Sequence, residues 1–167
     1  MITGKIARKW MAHFINAGVG EESNYVRLGT DLEEYTIEMN ANVNTTQNIL
    51  GEASTVVDGY EPQASVEPYY AEVGEPLYER LQNIADERLT HDALKTTVVE
   101  VHLWEEDEVD TDSFVAYKED AIIEVVSYGG DTSGVQIPFN LHHVGNRVKG
   151  KFDIATKTFT PDTVPAG

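Results

Sequence analysis

Residues 98–104 read VVEVHLW and residues 121–128 read AIIEVVSY, and these two stretches decide the fold class. In the first stretch, residues 98, 100, 102 and 104 alternate with the apolar residues 99, 101 and 103. This period of two, in a run rich in β-branched side chains, is typical of a β-strand. The second is a continuous run of strand-forming residues, and the glycine-rich residues 129–131 close it with turn chemistry. Both stretches predict a mainly β protein.

Similar patterns extend over most of the chain. Residues 135–141 and 148–154 alternate apolar and polar side chains, and residues 158–160 are predicted to close a terminal hairpin. Pro138 cannot donate a hydrogen bond within a ladder, so its strand is predicted to lie at an edge or to contain a bulge. Further strands are predicted at residues 10–15 and 32–42.

One helix and one long loop interrupt the strands. Pro76 suits the first position of a helix, and apolar residues follow it at helical spacing up to Arg88. Residues 43–62 are polar and too long for a hairpin turn, so they are predicted to form a long loop. The sequence therefore predicts one domain over residues 1–167, a β-sandwich or small barrel flanked by one α-helix. Residues 1–9 are predicted to form a flexible N-terminal arm, and residues 161–167 a C-terminal tail.

Composition excludes several classes of protein. The 167 residues are 41% hydrophobic and 25% charged, which is ordinary for a folded domain. The absence of cysteine excludes disulfides and thiolate metal sites. No apolar run approaches the ~20 residues that cross a bilayer, so no membrane partner is expected. The net charge is −17, and residues 21–146 hold 27 acidic and five basic residues, so the body of the protein should repel nucleic acid.

The residues that usually perform catalysis form no recognisable site. His142 and His143 are adjacent, so on a strand they point to opposite faces and cannot bind one metal ion together. His102 is interpreted as a lone, half-buried histidine. The chain also contains no glycine-rich phosphate loop and no nucleophile elbow. The sequence therefore predicts no enzyme, no cofactor and no metal.

An acidic run leaves one alternative open. Residues 105–112 contain several carboxylates that calcium would accept as ligands, although the EF-hand spacing is absent. A calcium-dependent or carbohydrate-binding β-sandwich is therefore an alternative to a solvated loop.

Several segments resemble phage tail tube proteins (major tail proteins), including the tubes of phage-tail-like particles. The resemblance lies in residues 48–52 (NILGE), 59–62 (GYEP), 65–70 (SVEPYY) and 75–81 (EPLYERL), and in the KGKFD strand and TFT hairpin near the end. It covers about residues 5–160 and consists of packing and loop residues, not catalytic ones. It does not distinguish the tube of a contractile tail from that of a non-contractile tail.

The resemblance implies a function and a set of partners. Tail tube subunits form rings of six that stack into a hollow tube around a tape measure protein, and DNA later passes through without specific binding. The implied partners are further copies of the chain, the tape measure protein and the tail initiator, baseplate and terminator proteins. The implied location is the virion, after assembly in the host cytoplasm. A tail terminator or baseplate hub protein, which forms a single ring, is an alternative.

The resemblance also assigns roles to residues. The long loop would contact the neighbouring ring through Asn44, Gln47, Asn48, Ile49, Leu50 and Glu52. Ile49 and Leu50 are apolar residues in a polar loop, so they either mark a partner surface or fold back onto their own core. The basic arm would contact a neighbouring subunit through Lys5, Arg8 and Lys9. The carboxylates predicted to face the lumen and repel DNA are Glu34, Glu38 and Glu100.

Overall fold

The computed structural model describes residues 3–162, which form a mainly β protein with one α-helix. The first six strands are β1 Met11–Asn16, β2 Tyr25–Leu28, β3 Ile37–Glu38, β4 Ala41–Gln47, β5 Ala53–Tyr60 and β6 Gln63–Val66. Helix α1 spans Pro76–Glu87, and single 3-10 turns span Arg8–Trp10 and His91–Leu94. The remaining strands are β7 Lys95–Glu106, β8 Ser113–Val125, β9 Gly129–Asp131, β10 Gly134–Gln136, β11 Phe139–Asp153 and β12 Thr158–Pro161.

Eight of these strands form one antiparallel sheet. The strand order is β2-β1-β7-β8-β11-β6-β3, and β12 pairs with the second half of β11. Within residues 3–162 the sheet does not close on itself, because β2 and β3 lie at its two ends. The prediction of a mainly β fold with one helix is therefore confirmed, and the fold is not a closed barrel.

Both faces of the main sheet carry apolar side chains. Neighbouring residues of a strand point to opposite faces, so each strand contributes to both cores. Ile15 of β1 packs in a core with Leu77, Leu81 and Ile84 of α1. Its neighbour Phe14 packs in a second core with Phe152 of β11, and the centroids of the two rings are 4.6 Å apart. The helix thus covers one face of the sheet, and the second core lies on the other.

The helix has the ends that the sequence predicts. Pro76 occupies the first turn, and Arg88 ends the helix in the left-handed conformation with φ 52°. The Arg88 guanidinium donates to the carbonyl of Ala85 at 2.9 Å. In the described part of the chain, no helix is both long and apolar enough to cross a membrane.

Several predicted boundaries were wrong. The long loop predicted at 43–62 is a β-hairpin, β4–β5, because the Asn48 side chain closes a tight turn: its Oδ1 accepts the N–H groups of Leu50 and Glu52. The turn predicted at 129–131 is strand β9, and the strand predicted at 135–141 is interrupted at Pro138, between β10 and β11. Of the strand predicted at 32–42, residues 37–38 form β3 and residues 41–42 begin β4.

Both predicted terminal segments extend beyond the described residues. Residues 1–2 of the predicted N-terminal arm and residues 163–167 of the predicted tail lie outside the described range. Pro161, where the tail was predicted to begin, is the last residue of β12.

Candidate interaction surface

The hairpin β4–β5 is exposed to solvent along nearly its whole length. All residues from 41 to 58 are exposed, and Ile49 and Leu50 at the tip are 102% and 76% exposed. Neither side chain therefore folds back onto the core. A two-stranded hairpin alone is at best marginally stable in water, and exposed apolar side chains at its tip are typical of a surface that binds a partner.

The polar residues predicted to make contacts bond within the hairpin instead. Asn44 Nδ2 donates to Asp58 Oδ2 at 2.6 Å, Gln47 Nε2 donates to the carbonyl of Gly51 at 3.0 Å, and Asn48 Nδ2 donates to Glu52 Oε2 at 2.9 Å. These bonds hold the shape of the tip. Ile49 and Leu50 are left as its projecting side chains.

The basic residues near the N-terminus divide into two kinds. Arg8 is anchored within the chain, since its guanidinium donates to the carbonyls of Met11 at 2.7 Å and Tyr35 at 3.0 Å. Lys5 and Lys9 are exposed. The two lysines, unlike Arg8, are thus available to a neighbouring molecule.

The three carboxylates predicted to face a lumen do not share one exposed face. Glu38 lies exposed on β3, and Glu34 is exposed but precedes that strand. The Glu100 side chain is 14% exposed, and its carboxylate lies 2.7 Å from His102 Nε2 and 3.9 Å from Arg147 Nη2. Glu100 was therefore wrongly predicted to be a solvent-side residue, because His102 on the same strand and Arg147 on β11 lie against its carboxylate.

A polar cluster lies at the root of the hairpin, on the face of the sheet that carries α1. His143 Nδ1 donates to Glu119 Oε2 at 3.0 Å, and Arg147 Nη1 lies 3.6 Å from the same oxygen. The ring of His13 packs on the ring of Tyr35 at 4.5 Å. We refer to His13, Tyr35, Glu119, His143 and Arg147 as the root cluster.

The cluster lines a groove of about 1160 Å³. Met39, which precedes β4, and Tyr60 of β5 line the groove at the base of the hairpin, and Val144 of β11 lines it as well. These three side chains are 53%, 56% and 59% exposed. The groove therefore combines an apolar rim with a polar floor.

Burial changes the chemistry of His13. The side chain is buried in the sheet, and this burial, together with the nearby Arg8 guanidinium, lowers the pKa of His13 to about 4. The imidazole is consequently neutral in the folded protein at neutral pH.

We expect His13 to make the fold sensitive to mild acid. The unfolded chain binds a proton at His13 as the pH falls below about 6.5, whereas the folded protein binds it only near pH 4. The free energy of unfolding should therefore fall between these pH values, by at most about 3 kcal/mol. Urea denaturation at pH 7, 6 and 5 measures this loss. A His13→Gln variant that shows the same pH dependence would exclude His13 as its source.

Residues 105–106 of the acidic run end β7, and residues 107–112 form the turn to β8. Asp107 Oδ2 accepts from Lys151 Nζ at 2.9 Å, and Asp110 accepts from Ser113 Oγ at 2.8 Å. Among residues 3–162 there is no group of three histidine or acidic side chains that could hold a metal ion. Within the run, the side chains of Glu105, Asp107 and Asp110 make local hydrogen bonds or ion pairs.

The fold is similar to that of a phage tail tube protein. The structure superposes on that of the SPP1 tail tube, solved by solid-state NMR and cryo EM, with a TM-score of 0.56 and 13% sequence identity. The match covers 87% of this chain and 78% of the SPP1 chain. No protein-family model and no curated protein matches the sequence. At this identity the similarity concerns the fold.

Proposed function

We propose that the protein is a structural subunit of a phage tail tube, with no enzymatic activity. Similarity to the SPP1 tail tube over 87% of the chain is the observation that carries this proposal. Six copies would form a ring, and stacked rings would form a hollow tube that DNA crosses. The tape measure, initiator, baseplate and terminator proteins would be its partners, and the virion its final location.

The edges of the main sheet support assembly of this kind. Strands β2 and β3 lie at the two ends of the sheet, and among residues 3–162 no strand pairs with the outer side of either. Exposed edges are a hazard in a monomer but allow a second chain to add strands to the sheet. Side-by-side pairing of copies through these edges would join six sheets into one continuous wall.

The hairpin supports contact along the tube axis. It forms a separate two-stranded sheet, and its exposed apolar tip is suited to burial against a partner surface. In the proposed tube, Ile49 and Leu50 contact the next ring, while Asn44, Gln47, Asn48 and Glu52 keep the tip in shape for that contact.

Sedimentation at increasing protein concentration tests the proposal. A self-assembling tube subunit should stay small below a threshold concentration and enter the pellet as large particles above it. A protein that sediments as a monomer at every concentration would contradict the proposal.

The exposed lysines of the arm should guide the docking of neighbours. In the proposed tube, Lys5 and Lys9 approach the acidic body of another subunit, and such rim pairs contribute only about 0–1 kcal/mol each. A Lys5→Gln/Lys9→Gln variant should require more protein to assemble at low salt. Because salt screens exposed charges, its threshold should equal that of the wild type near ~0.5 M salt. Equal thresholds at low salt would remove this role.

Exposed carboxylates should keep DNA from binding inside the tube. Of the three predicted residues, Glu34 and Glu38 remain exposed and would repel phosphates by their charge. Phage particles built with Glu34→Gln/Glu38→Gln subunits should eject DNA more slowly and still form normal tails. Glu79→Gln, an exposed change on α1, is the matched control. Ejection at the wild-type rate would show that these two carboxylates do not line the DNA path.

A further inference from the structure

Residues 33–40 lead into the hairpin and residues 60–66 lead out of it, and each segment passes beside a buried histidine. We call these segments the incoming and the outgoing arm, and the place where they meet the hairpin root. The incoming arm passes over β1, where Tyr35 packs on His13. The outgoing arm rests on β11, where the backbone N–H of His143 donates to the carbonyl of Pro62 at 2.9 Å. The two arms join where Glu61 N–H donates to the carbonyl of Met39 at 3.2 Å.

The two histidines each keep one unsatisfied ring nitrogen. His13 is 8% exposed and His143 is 9% exposed, and within residues 3–162 the Nε2 atom of each has no hydrogen-bond partner. Both rings line the groove beneath the hairpin root. A buried nitrogen without a partner is costly in the closed arrangement, and it gains hydrogen bonds to water when the root opens.

Charged and titratable groups surround His13 on all sides. They are Arg8 in the 3-10 turn, Tyr35 on the incoming arm, Glu100 and His102 on β7, Tyr117 and Glu119 on β8, and His143 and Arg147 on β11. Arg8, His102 and His143 oppose a positive charge on His13. Glu100 favours it. Burial outweighs the carboxylate, so the closed arrangement favours the neutral ring.

We propose that His13 is a proton-binding group that controls a latch: the neutral ring lets Tyr35 close over it and hold the hairpin root on the sheet, and protonation releases the root. An open root lets water reach the ring, where the ordinary pKa of about 6.5 applies. Acid therefore favours the open arrangement by about tenfold per pH unit between pH 6.5 and pH 4. The latch would set the orientation of the hairpin; that consequence for assembly rests on the proposed tube function, whereas the latch itself does not.

Hydrogen exchange tests the latch on dilute protein, below the concentration at which particles form. Mass spectrometry would follow peptides covering residues 33–40 and 60–66, with a helix peptide covering residues 77–88 as the internal reference. After correction for the intrinsic pH dependence of exchange, protection of the two arms should fall about tenfold per pH unit from pH 6.5 to 4.5. The helix opens only on global unfolding, so at each pH its protection should stay above that of the arms.

Two variants separate the latch from general acid unfolding. His13→Gln should make protection of the arms independent of pH, and His91→Gln should behave like the wild type, since His91 is exposed in the 3-10 turn after α1. Arms that are as strongly protected as the helix at every pH exchange only through global unfolding and would overturn the proposal, as would an unchanged pH dependence in His13→Gln.

If His13→Gln does not fold, NMR titration of the wild type decides the question. The amide signals of Tyr35 and Glu61 should then shift with the same midpoint as the His13 ring. Titration of the His13 ring without any change at these amides would overturn the proposal. Failure of tube formation has no effect on either measurement, so the two proposals fail separately.

Discussion

Replacing Ile49 and Leu50 by serine should abolish assembly without weakening the fold. Both side chains are exposed at the tip of a free hairpin, so their loss should change the free energy of unfolding by no more than about 0.5 kcal/mol. In a tube each would be buried against the next ring, and burial of one such side chain contributes about 1.5–3 kcal/mol. The double variant should therefore raise the threshold concentration at least about a hundredfold.

A matched control distinguishes a specific contact from general loss of surface hydrophobicity. Val109 is 92% exposed in the turn between β7 and β8, away from the hairpin. Val109→Ser should assemble as the wild type does in the same sedimentation assay. If the tip variant assembles at the wild-type threshold, the hairpin is not the contact between rings.

Replacing Arg80 by methionine should destabilise the fold strongly, although it changes a single side chain. Arg80 is 7% exposed on α1, and its guanidinium donates to the carbonyls of Asn16 and Gly18, each at 2.9 Å, and to that of Lys95. It thereby ties the helix to the ends of β1 and β7. Methionine fills similar space but leaves part-buried carbonyls without their donor, at about 1–3 kcal/mol for each.

We therefore expect Arg80→Met to lower the free energy of unfolding by about 3 kcal/mol, since Thr96 Oγ1 still donates to Asn16 and two carbonyls lose their donor. Urea denaturation followed by circular dichroism measures the change. Arg27→Met, at an exposed position on β2, is the control and should stay within about 0.5 kcal/mol of the wild type. A loss below about 1 kcal/mol for Arg80→Met would show that water replaces the guanidinium.

The sequence predicts those parts of the fold that depend on local patterns. Alternation at 98–104 predicts β7, and Pro76 with the apolar spacing after it predicts α1 with its end at Arg88. The hairpin was not predicted, because its strands are polar and exposed on both faces and so lack the alternation that burial imposes. Asn48 was the available signal, since an asparagine side chain can accept backbone N–H groups and close a turn.

The root cluster was not predicted because it depends on strand register. His13, Glu119 and His143 lie on three different strands, and only the order β1-β7-β8-β11 brings them together. A histidine at the centre of the apolar β1 was the signal for the cluster. The role of Arg80 was also not predicted, although this residue lies on the helix face that carries Leu77, Leu81 and Ile84.

Negative-stain electron microscopy of the concentrated protein shows whether this chain builds a tube. The proposed function predicts hollow tubes of uniform width built from stacked rings, and their absence in the Ile49→Ser/Leu50→Ser variant. Single rings that never stack, solid filaments without a lumen, or monomers alone at the highest concentration would contradict the claim that this chain builds a tail tube.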